Sequence, residues 1–192
     1  MGKLATRGLV LAVVIALLGV GSYAIAGGGT KNFRGSPLNG YEENPDISTV
    51  ATGSFDARLS NDGTSIHYRL TYSGLEGDVL QSHVHFGKPA VNGGISFFLC
   101  ANGNVPAPAP AGTPSCGGPH SGTVEDDIVA ADILGPAGQG IEAGNLAEIL
   151  DAMRAGHAYA NVHSTKWPGG EIRAQINDHG VGGDRGRGGE DD

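Results

Sequence analysis

His83-Val84-His85 carries the clearest chemical signal in the chain. Residues i and i+2 of a strand point the same way, so His83 and His85 share a face opposite Leu80, Val84 and Phe86. Further along, Tyr159, Asn161 and His163 share a face opposite Ala158, Ala160 and Val162. If the two segments meet, three imidazoles converge on one ion. Such a site suits copper or zinc, and at equal availability copper(II) binds most tightly. His67 is a further candidate ligand. Thr64 to Tyr72 and Val79 to Phe86 read as a hairpin, and matching their apolar faces sets His67 across from His83 or His85. The competing reading makes these histidines ordinary polar residues on a solvent-facing strand, with Asn161, Glu171 and Arg173 hydrogen-bonding a loop.

Other chemistries find less support. Ser82 adjoins His83, but strand neighbours point to opposite faces, so the two form no nucleophile pair. There is no G-x-S-x-G segment and no phosphate loop, and Asp126-Asp127 has no second acid group tied to it. The 192 residues carry a formal charge of -8 with no basic stripe, which argues against nucleic acid and makes cations the natural small partners.

The elements that must position the histidines are mainly strands. Thirty-four glycines and ten prolines punctuate short apolar runs and would break long helices. Strands are expected over Lys31 to Leu38 (an edge), Thr52 to Leu59, Thr64 to Tyr72 and Val79 to Phe86. Ile95 to Cys100, apolar on both faces, suits a more buried strand, and Gly122 to Val129, His157 to His163 and Glu171 to Ile176 complete the set. Ser60-Asn61-Asp62-Gly63 is a turn signal, and Trp167 to Gly170 forms a second turn. One helix is expected after Asn145, with Leu146, Ile149, Leu150 and Met153 on one face and Glu148 completing a near capping box. Its polar face is not basic, so it covers an end of the strands rather than a membrane. His157 follows its C-terminus, where a cation suits the helix dipole.

The N-terminus reads as an export signal. Lys3 and Arg7 precede the apolar run Leu9 to Val20, and Ala24-Ile25-Ala26 offers small residues for cleavage after Ala26. Retention of the run as a membrane anchor is the alternative. Residues 1–26 are thus a signal peptide and 27–33 a Gly-rich leader that runs into the first strand. Residues 34–178 form one domain, and 179–192, including His179, are a disordered Gly-rich acidic tail. The protein is expected outside the cytoplasm, secreted or periplasmic. Two cysteines in an exported chain suggest one disulfide, Cys100 to Cys116, closing a Pro-, Ala- and Gly-rich loop of 15 residues beside His120. A thiol metal or redox pair would want the close C-x-x-C spacing that is missing here.

Three segments resemble the CHRD domain family, the module first named from chordin. Leu38-Asn39-Gly40-Tyr41-Glu42-Glu43-Asn44-Pro45 resembles its opening L-x-G-x-x-E-x-P. Tyr68 to Leu75 leading to Ser82-His83-Val84-His85-Phe86-Gly87 resembles its middle. Ala158 to Ser164 followed by Pro168-Gly169-Gly170-Glu171-Ile172-Arg173 resembles its end. The Cys100 to Cys116 insertion departs from the usual pattern. The family resemblance implies an extracellular or periplasmic β-sandwich and fixes no activity. It also draws in Glu43 of the opening segment, as a carboxylate ligand or a group orienting a histidine. A second, local resemblance links His83-Val84-His85, Val162-His163 and the Pro-Gly-Gly turn to the copper-ligand segments of copper/zinc superoxide dismutases, without a counterpart of their bridging histidine or zinc loop.

The expected fold is therefore all-β: an antiparallel β-sandwich of Greek-key, immunoglobulin-like or superoxide-dismutase-like form, with one short covering helix. The expected function is a non-catalytic exported binding module. It would hold a metal ion, copper rather than zinc, through His83, His85 and His163, with His67 and Glu43 as additional candidates. The alternatives are a dismutase-like redox metalloenzyme and a protein-interaction domain without metal. An acidic chain steers an anion such as superoxide poorly, which weighs against the first alternative.

Overall fold

The computed structural model describes residues 30–178; the segments read as signal peptide and tail lie outside them, as do residues 27–29 of the leader. Eight strands follow in chain order: β1 (Asn32–Leu38), β2 (Thr52–Leu59), β3 (Ser65–Ser73), β4 (Val79–Phe86), β5 (Gly94–Ala101), β6 (Gly122–Val129), β7 (Ala158–Ser164) and β8 (Ile172–Asp178). A single α-helix among the described residues, α1 (Leu146–Arg154), precedes β7. No helix among them is long and apolar enough to cross a membrane.

The strands form one antiparallel sheet in the order β5-β4-β7-β8-β1-β2-β3-β6. Its halves fold over each other like a sandwich. Alternation drives this: Phe55, Ala57 and Leu59 of β2, Ile66, Tyr68, Leu70 and Tyr72 of β3 and Val124 and Ile128 of β6 bury one face. They share a core with Val84, Leu99, Ala160, Val162, Ile172, Ala174 and Ile176 from the other half. The Tyr68 hydroxyl crosses between the halves and donates to the Leu99 carbonyl at 2.5 Å. Helix α1 packs over β7 and β8 and buries Leu146, Ile149, Leu150 and Met153, the face expected from its spacing. Asn145 caps it, accepting from the Glu148 N–H at 3.3 Å.

Two expectations change, and so does the premise of the competing reading. β1 is not an edge: it lies between β2 and β8, because Phe33 and Leu38 are buried core residues. β3 and β4 do not form a hairpin. β3 pairs with β2 and β6, whereas β4 pairs with β5 and β7, so the residues between them carry the chain from one half to the other. Finally, the polar side of β4 and β7 is not a solvent face. Every residue of β7 is buried, and Gln81, His83, Asn161, His163 and Arg173 are buried polar groups. The strands of this half are thus covered on both sides, by the core on one and by connecting loops on the other.

Cys100 and Cys116 are bonded, the pairing expected from the sequence, with Cα atoms 4.8 Å apart. Their loop folds back over β4 and β5, where the Ala101 N–H donates to the Pro114 carbonyl at 2.9 Å.

Candidate metal centre

Strand pairing brings the two histidine segments together. β4 and β7 run antiparallel in a register that sets His163 opposite Gln81, Asn161 opposite His83 and Tyr159 opposite His85. All of these side chains stand on the loop-covered side of the sheet. The candidate ligand nitrogens of His83, His85 and His163 lie within 4.8 Å of one another, and all three residues are buried. Phe98 of β5 closes one side, its ring meeting that of His83 edge-on at 4.4 Å between centroids.

Each imidazole has one nitrogen spoken for. His85 Nδ1 donates to the Gly93 carbonyl at 3.0 Å and His163 Nδ1 to the Pro168 carbonyl at 2.9 Å. His83 Nε2 faces Gln81 Oε1 at 3.0 Å. Burial holds all three rings neutral: the His83 pKa falls to about 2, with further help from His163 and His85, and those of His85 and His163 fall to about 4. A neutral imidazole carries one proton, so the second nitrogen of each ring presents a lone pair. Those lone pairs belong to His83 Nδ1, His85 Nε2 and His163 Nε2.

The result is a cluster of acceptors short of protons. His83 Nδ1 and His163 Nε2 face each other at 3.1 Å, and Asn161 Oδ1 is also 3.1 Å from His163 Nε2. Turning the Asn161 amide supplies a donor to His163 and still leaves His83 Nδ1 facing a nitrogen without hydrogen. His85 Nε2 is buried with no hydrogen-bond partner among the described residues. An unpaired buried acceptor costs about 1–3 kcal/mol, so the two left after that turn, His83 Nδ1 and His85 Nε2, are a cost that a cation between them would relieve. Metal–nitrogen bonds of about 2.0 Å put two ligands roughly 3 Å apart when adjacent and about 4 Å when opposed. The 3.1 Å pair already matches the adjacent spacing, the wider separations of up to 4.8 Å must close by roughly 1 Å for one copper or zinc ion to take all three, and the carbonyls on the far nitrogens supply the orienting partners such ligands take.

Glu43 stands outside the group of three nitrogens, beside Asn161. Leu38 is buried, and Asn39 exchanges two backbone hydrogen bonds with Arg173, at 3.1 and 3.0 Å. The turn Gly40–Glu42 then delivers Glu43 to the site. Gly40 has to be glycine, because a Cβ there would overlap the Ile47 carbonyl. The Glu43 carboxyl lies against Asn161 and under Gly170, and burial raises its pKa to about 7 despite the attraction of Arg173.

His67 is elsewhere. It stands on the outer face of β3, exposed, with Nδ1 3.1 Å from Asp127 Oδ1, because β3 pairs with β6 and not with β4. His120 sits beside the disulfide loop, its Nδ1 donating to the Leu75 carbonyl at 2.9 Å. Three neighbours of the centre were not singled out from the sequence as part of it. Gln81 contacts His83. Tyr159 stacks on His85 at 4.7 Å, nearly parallel, and the Arg173 guanidinium lies 3.3 Å from the Tyr159 ring centre. Arg173 also donates to the Lys88 and Val91 carbonyls and so ties a loop, as the competing reading of these residues had it. Parity carries the signal for two of them: Gln81 shares a face with His83, and Tyr159 with His163.

A family model, CHRD domain, matches residues 35–176, nearly the whole described structure. The chain belongs to the CHRD domain family. No curated protein and no solved structure matches it. The CHRD match takes in six strands whole and most of β1 and β8, together with Gly40, Glu43, all three histidines and Gly170. Its opening segment and its Pro-Gly-Gly turn, far apart in sequence, meet over one buried carboxyl. The disulfide of this CHRD domain is of a kind that persists in oxidising compartments.

Proposed function

We propose that this CHRD domain protein is exported and acts as a non-catalytic module that holds one metal ion, copper in preference to zinc, through His83 Nδ1, His85 Nε2 and His163 Nε2. The observation that carries the reading is the 3.1 Å approach of two buried imidazole nitrogens, with a third, unpartnered imidazole nitrogen beside them. Copper is favoured by an all-nitrogen donor set and by its place in the affinity order of divalent ions. Lys3 and Arg7, the apolar run Leu9 to Val20, Ala24-Ile25-Ala26 and the disulfide support export.

The protein recovered from the exporting compartment tests this directly. Its intact mass should correspond to a chain starting at Gly27, and elemental analysis should find about one copper per chain, lost in His83→Ala, His85→Ala and His163→Ala. Absence of stoichiometric metal, natively or after loading with Cu(II) or Zn(II), refutes metal binding. Superoxide turnover by the copper-loaded protein would replace the binding-module reading with a redox enzyme.

A further inference from the structure

We infer that Gln81, held by the disulfide-closed loop, is a positioning residue that selects which nitrogen of His83 faces the metal centre; the inference rests on the metal reading above. Gln81 is fully buried on the histidine side of β4. Its amide nitrogen donates to the Gly103 carbonyl at 2.5 Å and the Ala107 carbonyl at 2.6 Å. Its amide oxygen accepts from the Ala107 N–H at 3.2 Å and meets His83 Nε2 at 3.0 Å. Gly103 and Ala107 both belong to the loop closed by Cys100–Cys116.

These contacts determine the amide orientation. Reversing the amide would point its oxygen at two carbonyls and its NH2 at the Ala107 N–H, so three contacts would turn repulsive at once. With the oxygen fixed toward His83, the imidazole proton must sit on Nε2. A proton on Nδ1 instead would leave two acceptors facing across 3.0 Å and would block the nitrogen that looks at His163. The loop thus reaches the centre through one amide, and His83 differs from its two partners, which keep their protons on Nδ1 and offer Nε2.

Long-range 1H–15N correlation spectra of the metal-free protein near pH 7 read the tautomer of each histidine. His83 should carry its proton on Nε2, whereas His85 and His163 carry theirs on Nδ1. Gln81→Met, similar in shape but without the amide, should give a tautomer mixture at His83 and weaken Zn(II) or Cu(II) binding about 10- to 100-fold. Its backbone amide spectrum should otherwise match wild type. The Cys100→Ser/Cys116→Ser double variant, with the loop released, should behave like Gln81→Met. A His83 proton found on Nδ1 in wild type, or a tautomer and affinity unchanged in folded Gln81→Met, overturns the inference. The expected tautomers with no metal uptake would instead overturn the metal reading and leave the hold of Gln81 on the ring standing.

Discussion

Lowering the pH should destabilise the metal-free domain steeply, and the buried imidazoles set the size of the effect. In the unfolded chain a histidine titrates near 6.5, whereas burial lowers His85 and His163 to about 4 and His83 to about 2. A depressed histidine contributes stability above its unfolded pKa that is lost as pH falls toward its folded one. Each of the three therefore loses about 3 kcal/mol between pH 6.5 and 4, at about 1.4 kcal/mol per unit. Glu43 works the other way. Its folded pKa of about 7 lies above the usual 4.5, so its contribution is full below 4.5 and is lost as pH rises to 7, again by about 3 kcal/mol. Arg173 keeps its charge throughout and Tyr159, raised by burial, stays neutral, so neither alters the slope. The net loss from pH 7 to 4 is on the order of 6 kcal/mol, comparable with the whole stability of an ordinary domain. Urea unfolding at half-unit pH steps, with a chelator present, measures it. Glu43→Gln should steepen the dependence by removing the opposing group. Stability that stays level between pH 7 and 4.5, or imidazole protons titrating near 6.5, would refute the claim that these rings are neutral because they are buried.

Two further outcomes are expected. Gly170→Ala should destabilise the fold by about 2 kcal/mol in the same unfolding assay, because Gly170 has a φ of +129° and an added Cβ would overlap the Glu43 carboxyl. His67→Ala should leave metal content unchanged and stability within about 0.5 kcal/mol, because its contact with Asp127 is more than half exposed on both sides.

Much of the site followed from alternation alone. The i, i+2 relation correctly put His83 and His85 on one face and Tyr159, Asn161 and His163 on another, and the β4–β7 register joins those faces. Strand pairing was less legible. Val79 follows β3 closely enough to suggest a hairpin, yet adjacency in sequence says nothing about which edge of β3 is already taken; β2 and β6 occupy both. His67 was misplaced with it. Burial of the polar side was hidden too, because a polar alternate residue looks the same whether it faces water or a covering loop. The cover comes from Phe98, Gly93, Pro168 and the Gly103–Ala107 stretch, none of which announces its position in the sequence. Gln81 is the plainest case: its role depends on a loop that reads as featureless Pro, Ala and Gly.

The strand order also governs how this centre comes into being. His83 and His163 are 80 residues apart, and β4 meets β7 only after the chain has built β5, β6 and α1. Bringing such distant segments together is an entropic toll that must be met before any contact rewards it, so folding belongs in the slower millisecond-to-second regime of β-rich topologies. Until then the nascent chain offers a metal at best the His83, His85 pair. An ion that needs all three nitrogens will favour the finished structure and, by mass action, draw the population toward it.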